Sequence, residues 1–274
     1  MVSITDCIGE GLKYPFNDIK KLLGFGVLFA LANLISLAIS IKAVDVLRAF
    51  GQLNHYGSFM FNVSRLPSGD VNMLIGLSIV SFIILLLIMG YEWSIVKFSI
   101  DKRNDLPGLF NVLELFGNGI RYFIVTLAYN IVPIAMLIMG LEFINEPYGI
   151  CLVLISLLLF IIVYFILIMA LNNMIAHDKF KKAFDFSEII GNISNLGWIK
   201  YVGIIVFTFI VYLIIIAAVS FILSFAAVFI AGFINNQVIV VSAILTTING
   251  LLVSSYLGAF YNRVFGSIYR ESLK

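Results

Sequence analysis

The sequence predicts an all-α integral membrane protein: six transmembrane helices arranged as three parallel two-helix hairpin repeats, each preceded by a cytoplasmic interfacial amphipathic helix. Three observations predict it. Hydrophobic residues make up 62% of the 274 and the mean hydropathy is +1.09. Six apolar runs reach bilayer length, and a short amphipathic block recurs ahead of odd-numbered spans. Charged residues are 12%, about half the roughly 25% of a soluble domain, which excludes a soluble globular protein. A disordered chain needs low hydrophobicity, and a net charge of +2 supplies no basic field for nucleic acid. The partners expected are membrane lipids, with protein partners left open.

A hydrocarbon core of about 30 Å takes roughly 20 apolar residues at about 1.5 Å each. The qualifying runs are residues 22–41, 71–96, 120–141, 148–171, 201–224 and 238–260. Each reads as helix, because an apolar span must satisfy its own backbone and none shows the alternation of barrel strands. The fifth run stays apolar through Phe233, so it either tilts or extends beyond the bilayer. Asp6, Glu10 and Asp18 precede a first run too long for a signal-peptide core, so the first span is expected to stay in the membrane.

Cations set the orientation. With six spans, fourteen of the seventeen Lys and Arg fall on the side of the termini, and only Lys42, Arg48 and Arg65 on the other. A cell-membrane protein with both termini cytoplasmic is the expectation. Cys7 then lies inside and Cys151 at the outer end of the fourth span, so no disulfide is expected and no metal-site spacing exists.

The amphipathic block is Phe110-Asn111-Val112-Leu113-Glu114-Leu115-Phe116-Gly117-Asn118, repeated as Phe184-Asp185-Phe186-Ser187-Glu188-Ile189-Ile190-Gly191-Asn192. Each copy reads as a helix laid in the headgroup region. Asn111 or Asp185 is its N-cap, Glu114 or Glu188 completes a reciprocal capping box, and Gly117 or Gly191 marks its end. A weaker third copy places Ile8, Leu12, Phe16, Ile19 and Leu23 on one face, with Pro15 kinking or dividing it. The chain is thus a single membrane domain, 1–274, of three units, about 1–105, 106–182 and 183–274. All three enter the membrane in the same sense, unlike inverted repeats.

Gly90-Tyr91, Lys97, Leu106-Pro107, Phe110, Leu115-Phe116 and Gly119-Ile120-Arg121 together resemble the pattern of the archaeal membrane family catalogued as domain-of-unknown-function 4013. Residues Ala183 to Ile189 and the terminal Gly266-Ser267-Ile268-Tyr269-Arg270 are similar to its other recurrent blocks. The resemblance covers nearly the whole chain. It implies six spans and an archaeal origin, and it carries over no catalytic residues. The layout is distantly similar to membrane domains beside some glycerophosphodiester phosphodiesterases, whose soluble catalytic domain has no counterpart in these residues.

Glu92 is the one acid well inside an apolar run. It reads as an ion-pathway residue or, preferably, as an interfacial residue between the belt aromatics Tyr91 and Trp93, paired to Lys97 or water. In the sixth span Ser242, Thr246, Gly250, Ser254 and Gly258 recur every fourth position, with Asn249 beside them. This stripe can line a polar path, but close helix packing is the favoured reading. Gly26, Ala30, Asn33 and Ser40 make a shorter stripe in the first span, and the two are expected to face each other. Asn130 and Pro133 suggest a static kink in the third span. Asp101-Lys102-Arg103-Asn104-Asp105 reads as a solvated turn, and His177 alone makes neither a metal site nor a triad. Asn62-Val63-Ser64 is a glycosylation sequon in the first outer loop, while Asn192-Ile193-Ser194 should face the cytoplasm.

No catalytic constellation, cofactor motif or metal cluster is visible. The preferred reading is therefore a non-enzymatic scaffold that organises lipids or partner proteins, favoured by the interfacial helices and the expected absence of buried charge. The alternative is a small-molecule or lipid transporter, which needs a cavity lined by Ser242, Thr246, Asn249 and Ser254. A membrane-embedded enzyme is the weaker alternative.

Overall fold

The computed structural model describes residues 4–54, 68–233 and 237–273. Every regular element among them is helical: α1 (Ile4–Lys13), α2 (Ile19–Asn54), α3 (Ser68–Ile100), α4 (Val112–Glu142), α5 (Pro147–His177), α6 (Phe186–Leu196), α7 (Trp198–Phe233), α8 (Val238–Ile248) and α9 (Ser255–Ser272). A π-helical segment, Asn249–Ser254, joins α8 to α9. Six helical stretches are long and apolar enough to cross a membrane: Ile19–Val46, Gly69–Ile100, Val112–Glu142, Pro147–His177, Trp198–Phe233 and Val238–Ser272. The fifth runs unbroken to Phe233 over 36 residues, roughly 54 Å at helical rise, so it must tilt or project. Asn62, Arg48 and Arg65 lie outside the residues whose side chains are described.

Lipid-facing residues such as Ile131, Leu158, Ile214 and Phe225 are exposed on the outside of the bundle. The helices are held together by close approach rather than by the hydrophobic effect, which lipid largely removes. The α3–α4 crossing shows how. A Cβ on Gly90 would stand 1.8 Å from the Leu115 carbonyl oxygen, and one on Gly119 1.8 Å from that of Leu86. These glycines let two backbones touch, and any larger residue would force them apart.

The two copies of the amphipathic block fold differently. Asn111 Oδ1 accepts from the Glu114 backbone N–H at 3.4 Å and Asp185 Oδ1 from that of Glu188 at 3.3 Å, so both cap a helix start. Neither box is reciprocal. Glu114 takes the Asn111 side-chain amide at 2.8 Å, and Glu188 is drawn to Lys182, because a nearby donor on a side chain competes with the cap's own N–H. Residues 112–118 are the first turns of the span α4 rather than a separate helix, with Gly117 inside it. The second copy is a distinct helix, α6, and Gly191 also lies within it. It ends at Gly197, whose φ of +90° suits glycine alone.

At the N-terminus the expected single face is split. Pro15 lies in a 3₁₀ turn, Tyr14–Asn17, that divides α1 from α2. Ile8 is buried and Leu12 packs beside it in the core formed with α9, whereas Phe16, Ile19 and Leu23 are exposed. The turn rotates the second half away from the first. Cys7, buried in that core, and Cys151, exposed, are both free.

Candidate functional site

The sixth span's stripe divides between two neighbours. Toward α2 the contact is backbone on backbone: a Cβ on Gly26 would lie 2.3 Å from the Leu251 carbonyl oxygen, and one on Gly250 would lie 2.5 Å from the Ala30 nitrogen. Asn33 donates to the Thr246 carbonyl at 3.1 Å, and Thr246 donates to the Ser242 carbonyl at 2.8 Å. This half of the stripe is consumed in packing. Ser40, at the end of the first span's stripe, is exposed and bonds within its own helix.

The other half looks into the bundle. Asn249, Ser254 and Gly258 line a cavity of 300 Å³ together with Phe29, Glu92, Tyr212 and Tyr261. Ser254 donates to Asn249 Oδ1 at 3.1 Å. Of the four residues expected to line a transport cavity, Asn249 and Ser254, the first and last residues of the π-helical segment, line this one, and Ser242 and Thr246 do not. Glu92 is buried, and its carboxylate accepts the Tyr261 hydroxyl. It does not pair with Lys97, which points outward and is exposed. Tyr91 and Trp93 form no lipid-facing belt: both are buried, and Tyr91 donates to the Pro107 carbonyl at 2.8 Å. Aromatic residues flanking an acid signal an interface by composition, but here the helix faces inward at that level.

A second cavity of 460 Å³ adjoins the first, with Tyr212 and Tyr261 in both walls. It is enclosed by α3, α4, α5, α7 and α9, and its polar lining includes Thr126, Asn130, Thr208 and Asn262. Thr126 Oγ1 and Asn262 Oδ1 are buried without a hydrogen-bond partner. Asn262 spends its amide on the Gly258 carbonyl at 2.9 Å, and Asn130 donates to the Thr126 carbonyl at 2.8 Å. Tyr164 and Phe209 line this cavity while 44% and 54% exposed, so it reaches the outer surface between α5 and α7. Pro133 is buried inside α4, which continues through it.

The basic end of the bundle carries buried charge. Arg263 is 1% exposed. It pairs with Glu10 at 2.5 Å, bonds the Arg103 carbonyl and Asn104, and stacks over Tyr14. Arg270 holds the other Glu10 oxygen at 2.8 Å and the Ser99 carbonyl at 3.0 Å. Stripping water from an isolated guanidinium costs several kcal/mol, and Glu10 offsets it. Burial alone would raise the Glu10 carboxyl, but hydrogen bonds and charge from Arg270 and Arg263 outweigh it and hold the group below its ordinary value. The 101–105 turn is therefore a docking surface for the N-terminal segment, with Tyr14 donating to the Asp105 carbonyl at 2.9 Å.

The recurrent blocks build this end. Ser267 meets Ser99 at 3.2 Å, Tyr269 donates to Asn173 at 2.7 Å and Tyr129 to the Ala183 carbonyl at 2.6 Å. His177 faces Glu188 at 3.4 Å beside Lys182. Asn192, of the second sequon, is buried. No group of three His, Cys, Asp or Glu that could hold a metal ion occurs among the described residues.

Six apolar helices around internal cavities define a polytopic helical membrane protein. The family described as "Protein of unknown function (DUF4013)" matches residues 73–254, about two thirds of the chain, and the protein belongs to that family. No curated protein and no solved structure matches the chain.

Proposed function

We propose that the protein holds an amphiphilic small molecule or lipid inside its helix bundle and serves its movement in the membrane, as a non-enzymatic transporter. The observation that carries this reading is a 460 Å³ cavity whose lining includes Thr126, Asn130, Thr208 and Asn262. Thr126 and Asn130 give a ligand hydroxyl an anchor there, while Leu167, Ile168 and Leu171 suit an alkyl chain. The volume falls within the roughly 300–1,000 Å³ of small-molecule sites. An opening beside Tyr164 and Phe209 suits entry from the lipid. The cation asymmetry supports cytoplasmic termini. The separate short helix α6 supports an interfacial unit ahead of the fifth span.

Cysteine substitution tests it. With Cys151 replaced by serine, a cysteine at Thr126 or Asn249 should react with a small methanethiosulfonate reagent and be protected by dodecanol, while one at Ser242 should stay inert. Equal inertness at all three positions would sink the transport reading.

A second reading, organisation of lipids or partner proteins, draws on apolar residues displayed at the basic end: Phe110 is 98% exposed, Leu113 84% and Ile199 93%. It expects co-purifying lipids or proteins that are lost when Phe110, Phe116, Phe184 and Ile190 become polar. An unchanged pull-down would contradict it.

A further inference from the structure

We propose that the smaller cavity is a head-group site for a protonated amine, so that the molecule held is a long-chain ammonium amphiphile whose tail lies in the larger cavity. This rests on the reading of the larger cavity as a ligand site and gives that ligand its chemistry. Glu92 is 7% exposed, and among the described residues it enters no ion pair. No Lys or Arg among the described residues lines the compartment. A buried carboxylate without a counter-charge is costly, and a cationic ligand removes that cost.

The rest of the wall matches an ammonium. Three donors on one nitrogen meet the oxygens of Glu92, Asn249 and Ser254, while Phe29, Tyr212 and Tyr261 bring aromatic rings to the same wall. Aromatic faces attract ammonium by about 2 kcal/mol once water is excluded. A hard metal ion is held mainly by several carboxylate and carbonyl oxygens, and Glu92 is the one carboxylate among the described residues of this wall. An anionic head group would meet Glu92 with no cation to offset it. The two cavities share Tyr212 and Tyr261, whose ring centres are 6.5 Å apart. The head-group compartment therefore lies directly beside the larger cavity, as an amphiphile requires.

The test uses the full chain in dodecyl maltoside with Trp198→Phe, leaving Trp93 as the sole tryptophan. Trp93 is buried among Val96, Leu167, Leu171 and Ile175, four residues that also line the larger cavity. Bromine-tailed dodecanol bound there should quench its emission saturably. Dodecylammonium is expected to displace this reporter at concentrations about tenfold lower than dodecanol, since one charge-assisted contact is worth more than a decade in affinity. Glu92→Gln should abolish that advantage and leave displacement by dodecanol within about twofold of wild type. Glu92→Asp should keep part of it. Equal potency of amine and alcohol in the wild type would overturn the amine site while leaving the cavity reading intact; so would an advantage that survives Glu92→Gln. Non-saturable quenching by the reporter itself would bring down both. Added phosphatidylethanolamine separates two sources of the same ammonium: if it displaces the reporter the head group is that of a membrane aminolipid, and if it does not the ligand is a free amine.

Discussion

The two faces of the sixth span carry the same kinds of residue and reach opposite outcomes. Toward α2, Thr246 and Gly250 are absorbed by backbone contact and hydrogen bonds involving main-chain carbonyls. Toward the interior, Asn249, Ser254 and Gly258 border open space next to Glu92, and one turn further Asn262 leaves its oxygen bare. Small and polar residues at four-residue spacing are thus neither a packing signal nor a path signal in themselves. What decides is whether the neighbour brings its own backbone within reach, as Gly26 allows on one side, or stands off behind tyrosines, as on the other.

Breaking the packed face should produce the largest effect. Gly250→Leu drives a side chain into the Ala30 backbone, and overpacking of this kind costs about 3 kcal/mol or more. The apparent Tm in detergent should fall by roughly 10 °C, with amphiphile binding lost alongside. A Tm unchanged by the substitution would show that the α2 contact does not hold the bundle.

An intermediate effect is expected at the basic end, where α1 is latched through Glu10. The Glu10 carboxyl is held below its ordinary value. Its contribution is therefore fully present above about pH 5, and it is lost as the pH falls through the lowered value. With Cys151→Ser, buried Cys7 reports the latch. Its reaction with dithiodipyridine, which proceeds in acid, should accelerate several-fold between about pH 5 and pH 3. Glu10→Gln should show the faster rate already at neutral pH. A rate independent of both would place the docking energy elsewhere.

The smallest change in stability belongs to the cavity face. Thr126→Val removes an unpartnered hydroxyl, so stability should stay within about 1 kcal/mol of wild type or rise slightly, while dodecanol binding weakens several-fold. The opposite pattern, lost stability with binding intact, would make Thr126 a packing residue and erase the distinction between the faces.

Local features were legible in the sequence. Apolar length located all six spans, and Asn111 and Asp185 cap where an Asx followed three residues later by Glu predicts it. Pro15 divides α1 from α2 because proline cannot continue the ladder. Features built across long separations were not. Glu92 and Tyr261 are 169 positions apart, so the acid's partner was misassigned to the nearby Lys97. Arg263 looked like an orienting surface cation, yet it is buried by Glu10 from the far end of the chain. The π-helical segment, which begins at Asn249 and ends at Ser254, has no compositional signature.

The most direct test of the central claim is Trp93 emission in the Trp198→Phe protein, titrated with bromine-tailed dodecanol and compared with Thr126→Phe, which fills the cavity, and Ser242→Ala, at a residue that lines neither cavity. The account predicts saturable quenching that Thr126→Phe abolishes and Ser242→Ala preserves. Quenching that rises linearly with reporter and is the same in all three proteins would contradict it.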